Sequence, residues 1–86
     1  MINATDNPVN WALLLYELDD AKEHIESLMS QMGEQGQIDD IDFKIEIAHV
    51  YAHLNRSWNT RNLADDTDEE RFEERFSEFP NDLEPI

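Results

Sequence analysis

Eighty-six residues without a cysteine make one small domain, 1–86, with neither a disulfide nor a thiolate metal site to hold it together. The charge is −15, and it is uneven: seven acids and one base in residues 1–37, four and three in 38–63, ten and two in 64–86. That balance excludes direct nucleic-acid binding, which draws its affinity from clustered Lys and Arg, and disfavours an anionic membrane surface. It steers instead towards a basic protein partner, solubility being the other use of such a surface.

Residues 1–7 are polar and expected to fray. They lack the basic and apolar regions of a secretory signal, and the longest uninterrupted apolar run, Trp11 to Tyr16, is too short to span a bilayer. A cytoplasmic protein is therefore expected. Asn7-Pro8 is a helix start, with Asn as cap and Pro at the first helical position. From there Trp11, Leu14, Leu18, Ala21, Ile25, Leu28 and Met32 recur at alternating spacings of three and four, the seam of a helical hairpin. Asp19, Asp20, Glu23 and Glu26 occupy the opposite face. Gly33 is the expected left-handed stop, which gives a first helix over 8–32. The short connector 33–37 makes the next helix its antiparallel neighbour.

The second helix is predicted over 39–61. Asp39 caps it, Ile38 and Phe43 have hydrophobic-staple spacing, and Asp40 and Asp42 sit in the first turn, where the helix dipole favours acids. This helix carries two apolar stripes: Ile41, Ile45, Ala48 and Ala52 on one line, and Phe43, Ile47, Val50, Tyr51, Leu54 and Trp58 on a broader one nearly opposite. Two stripes ask for two neighbours. The first helix is one of them, with Leu54 and Trp58 in the core against Leu14 and Leu18. The other is the C-terminal segment or a second copy of the chain.

Thr67 and Glu70 have capping-box spacing, and Phe72, Phe76 and Phe79 follow at i, i+4 and i+7. They predict a short third helix, 67–79, docked on the free stripe. Like charges at i+4 make it unable to persist alone. Phe79-Pro80 ends it, and 80–86 is an irregular tail. The expected fold is all-α: an antiparallel two-helix hairpin closed by a short third helix, and a homodimer centred on the nearly neutral second helix.

Three constellations are candidates for chemistry. Glu46, His49 and His53 lie on one line of the second helix: Glu46-x-x-His49 is the spacing of carboxylate-bridged metal bundles, and His49 and His53 can chelate from one face. Glu17, Asp20 and His24 of the first helix add possible ligands. That line falls in the polar sector between the stripes and is expected to face solvent, so no metal or other cofactor is expected. A helical metal-binding protein using these residues is the alternative reading. Second, Arg56, Trp58 and Arg61 are residue types enriched at binding hot spots. Packing of Trp58 against Trp11, with the arginines on local carboxylates, is the plainer use of them. Third, Glu70, Glu74 and Glu78 form an i, i+4 carboxylate row on the predicted third helix, rising about 6 Å per step, a spacing that imitates phosphates along a nucleic-acid strand. Ser27, Ser30, Ser57 and Ser77 lie in no strained-turn motif and no phosphate loop exists, so an enzyme is not expected. The reading is a non-catalytic acidic interaction module, an adaptor or inhibitor of a basic partner.

Overall fold

The computed structural model describes all 86 residues as two long helices and an irregular C-terminal segment, with no strand. Helix α1 spans Pro8–Gln35 and α2 spans Asp40–Asn59; the two pack as a hairpin. The molecule measures 47 × 25 × 24 Å. The remaining chain, from Thr60 on, contains a single 3-10 turn, Glu74–Phe76.

Both ends of α1 differ from expectation. The helix runs through Gly33 and stops at Gly36, which adopts φ 67° and donates its N–H to the Met32 carbonyl at 2.9 Å. One left-handed residue ends a helix, and Glu34 and Gln35 propagate it until Gly36 supplies that residue. At the other end Pro8 opens the helix, but the Asn7 side chain does not cap it. The capping carboxylate comes from far away in sequence. Asp65 accepts the Val9 N–H at 2.9 Å and the Asn10 N–H at 2.8 Å, and its own N–H donates to Asn7 Oδ1 at 3.0 Å. An acid at this end also meets the positive pole of the helix dipole. Helix α2 starts as expected, Asp39 accepting the Ile41 N–H at 2.8 Å. It ends at fully buried Thr60, whose N–H and hydroxyl both donate to the Arg56 carbonyl.

The third helix does not form. Thr67 accepts the Glu69 N–H in a local turn, and the rest of 67–79 is irregular apart from the 3-10 turn. Like charges one turn apart oppose a helix here, and competing contacts hold the segment open. Arg71 is buried against Asn10, and the Asn55 and Asn59 amides donate to the carbonyls of Phe76, Ser77 and Glu78. The three phenylalanines consequently share no face. Phe72 lies under the Arg56 guanidinium, Phe79 touches Tyr51, and both stay mostly exposed. The segment, taken from Asp65 to Phe79, is a strap that caps α1 at its start and passes across α2.

The helix seam is rotated from the one the apolar periodicity predicts. Only Ala21, Leu28 and Val50 are buried hydrophobics; they share the interior with Asn10, Glu17, Asn55, Thr60 and Arg71. Asn10, Glu17, Ala21 and Leu28 form one line of α1, and Leu14, Leu18 and Ile25 lie about 60° around the helix from it. Leu18 is therefore half exposed, as is Leu54 at 45%, and Trp58 is only partly covered. The rotation places Glu17 against His53 and Arg56, and it turns the leucines onto a flank.

Candidate functional site

The hairpin thus has two unlike flanks, one on each side of the Ala21–Leu28–Val50 line. Wheel positions put Glu17 and His24 of α1 and Glu46, His49 and His53 of α2 on one side. Leu14, Leu18 and Ile25 of α1, and Ile47, Leu54 and Trp58 of α2, lie on the other.

On the polar flank, Glu17 is the one buried carboxylate, and three cationic or basic groups surround it. His53 Nδ1 lies 2.7 Å from its Oε2, and Arg56 Nη1 donates to both oxygens at 3.2 and 3.4 Å. Arg71 reaches the same interior from the strap and donates to Asn10 Oδ1 at 2.6 Å, while Asn10 donates to the Thr60 carbonyl. Burial depresses the Arg71 pKa; the Glu17 charge pulls it back up and Arg56 pushes it down again. Its Nε and Nη2 find no acceptor, and neither does Arg56 Nε. The network ties the strap to both helices.

One turn along the same flank, two residues of the metal constellation, Glu46 and His49, meet His24 of α1, while His53 is taken by Glu17. His24 Nδ1 is 3.6 Å from Glu46 Oε2, and one ligand atom from each of His24, Glu46 and His49 lies within 4.8 Å of the others. The His24 ring packs edge-on to His49 at 5.2 Å and stacks on His53 at 5.5 Å between centroids. The expectation that this line faces solvent fails for two of its three members. Glu46 and His53 are half-buried against α1, and only His49 is exposed. The seam rotation is the cause, since it turns the polar sector of α2 towards α1. Asp20, the other acid named on α1, is exposed and outside the cluster.

The apolar flank carries the aromatic and arginine candidates at its open end. Trp11, Leu14, Leu15, Leu18, Leu54 and Trp58 line a groove of about 420 Å³, closed at one rim by Leu83 and Arg61. The Arg61 guanidinium lies 3.6 Å over the Trp58 ring and pairs with Asp82 at 3.5 Å; the Trp58 indole N–H donates to Asp82 at 2.9 Å. That indole hydrogen bond, with help from Arg61, holds the Asp82 carboxyl below the ordinary carboxylate range. Arg56, by contrast, belongs to the polar flank. Further along, Phe43, Ile47, Tyr51 and Phe79 line a second apolar depression beside Lys44.

The carboxylate row Glu70, Glu74, Glu78 is dispersed, because the helix that would align it is absent. The Glu70 N–H donates to the Glu73 carboxylate, Glu74 opens the 3-10 turn, and the Glu78 carbonyl accepts from Asn55 and Asn59. Glu73 is held below its ordinary value by that Glu70 hydrogen bond and by Arg75, and Arg75 is raised in turn by Glu69. Regular spacing of phosphate mimics is lost; the acidity itself remains on the surface.

Asn10, Asp65 and Arg71 are structural residues that sequence reasoning missed. Each acts through partners fifty or more positions away, and no local signal marks them. Comparison with family models, with curated proteins and with solved structures finds no match to this chain.

Proposed function

We propose that this chain is a non-catalytic, acidic interaction module that works as a homodimer, the apolar flank taking a second copy and the acidic faces left outward for a basic protein partner. One observation carries the reading: a set of half-exposed large apolar side chains runs along both helices, on the side turned away from Asp19, Asp20, Glu23 and Glu26 of α1. Trp11, Leu18, Ile25, Met29, Met32, Phe43, Ile47, Tyr51 and Leu54 are all at least 38% exposed. With only three buried hydrophobic residues, the lone chain has little core to offset its chain entropy. A flank roughly 40 Å long and 20 Å across offers on the order of 800 Å², what a stable interface takes from each partner.

Charge placement supports a second copy. The chain's only lysines, Lys22 and Lys44, sit at the edges of this flank by wheel position. Asp19, Asp20, Glu23 and Glu26 are exposed elsewhere on α1, as are Asp66, Asp68, Glu70, Glu74 and Glu78 on the strap. Two copies meeting flank to flank form a four-helix arrangement with its acids pointing away from the contact. The field of the outer faces then attracts a cationic surface, and the module serves as adaptor or inhibitor of the protein that carries it. No helix is long and apolar enough to cross a membrane.

Sedimentation at micromolar concentration across a salt series tests this. The dimer should tighten as salt rises, because screening weakens the repulsion between −15 chains and leaves apolar burial largely intact. A basic partner captured by the dimer should be released as salt rises. A monomer at every ionic strength overturns the reading.

A further inference from the structure

The polar flank carries a second inference, independent of self-association. We infer that His24, Glu46 and His49 form a binding site for a divalent transition-metal ion of the zinc class, clamping α1 to α2 halfway along the hairpin. The donor set is two imidazoles and one carboxylate, which suits borderline ions such as zinc, cobalt(II) or iron(II) and not the all-oxygen preference of calcium or magnesium. The geometry is close to that of a bound ion. Bonds of about 2.1 Å to a tetrahedral centre hold ligand atoms roughly 3.4 Å apart. Here the His24–Glu46 pair stands at 3.6 Å, and all three atoms lie within 4.8 Å. Small side-chain rotations close the difference.

The placement is not what helix packing alone would choose. Two helices in contact ordinarily put apolar side chains where His24 faces Glu46 and His49. Neither His24 nor His49 makes a hydrogen bond within the chain, so their ring nitrogens are free for a ligand, whereas His53 is engaged. His53 gives the site its support. With Nδ1 held by Glu17 it stacks on the His24 ring at 5.5 Å between centroids and so limits how that ring can turn. Exposed His49 leaves the site open to solvent, so the ion reaches it without unfolding, and a position on the ion stays free for water. The chain's strong negative charge raises the local concentration of cations around it.

The experiment is calorimetric titration of the intact chain with zinc chloride, with cobalt(II) as a spectroscopic probe and calcium and magnesium as controls for the acidic surface. One zinc per chain is expected, together with visible cobalt bands of a low-coordinate nitrogen–oxygen site. The melting temperature should rise by roughly 10–20 °C at about a hundredfold excess over Kd. His49→Ala should weaken binding at least about tenfold, and because His49 is exposed this variant keeps the fold. Glu46→Gln, which keeps shape and volume, should do the same. Three results overturn the assignment: no zinc binding at micromolar concentration, zinc binding unchanged in His49→Ala and Glu46→Gln, or equal binding of calcium.

Discussion

The two flanks of the hairpin solve opposite problems. The polar flank buries charge inside the chain and pairs most of it there: Glu17 meets His53 and Arg56, and Arg71 of the strap closes the set over Asn10, with three guanidinium nitrogens of the two arginines left without an acceptor. The apolar flank leaves its side chains half in water, with Trp58, Arg61 and Asp82 forming a local clasp at one end only. A buried ion pair adds little net stability but is costly to break, whereas an exposed apolar stripe costs little in the chain and stabilises only what covers it. The polar flank therefore fixes how the chain folds, and the apolar flank is the surface through which the proposed dimer would form.

Removing the central charge should have the largest effect. Glu17→Ala leaves buried Arg71 and partly buried Arg56 without their counter-charge and should destabilise the chain by about 3–5 kcal/mol, read from urea unfolding. A loss under about 1 kcal/mol would mean that the polar seam does not hold the hairpin. Next, Leu18→Glu on the apolar flank should weaken self-association by about 2 kcal/mol or more, roughly thirtyfold, while the helical circular dichroism of the chain persists. Sedimentation equilibrium measures the first and the spectrum the second; loss of helicity in parallel would show that the flank is needed for folding itself.

Smaller effects separate the strap from the hairpin. Asp65→Ala removes the cap supplied to α1 from the strap and should cost about 1 kcal/mol, with exchange protection lost first at Val9 and Asn10. The acid limb of the stability profile is the mildest test. Asp82 and Glu73 have folded pKa values below their ordinary ones, so their contribution is complete above the ordinary carboxylate range and is lost as pH falls through the lowered values. Tryptophan fluorescence should therefore change below about pH 4 as the Asp82–Trp58 bond is released, and Asp82→Asn should flatten that change.

The sequence by itself determined the all-α hairpin. Apolar residues at spacings of three and four, Pro8 at the first turn, Asp39 as cap and glycines at the turn are local physics, and both helices lie within a few residues of the expected bounds. It also placed Glu46 and His49 one helical turn apart and named His24 as a possible companion. What it could not set was rotation about the helix axes. Periodicity ranks positions by apolarity, so it chose the Leu14–Leu18–Ile25 line for the seam. Matching the charge of Glu17 instead required His53 from α2, Arg56 one turn on and Arg71 from the strap to converge on one point. That same rotation turned His24 towards Glu46 and exposed the leucines. The strap depended on the tertiary structure most of all. A capping box and three phenylalanines are helix signals, yet a short helix with like charges one turn apart is marginal. The long-range contacts of Asp65, Arg71, Asn55 and Asn59 exist only once the hairpin is in place to receive them, and they decided the conformation.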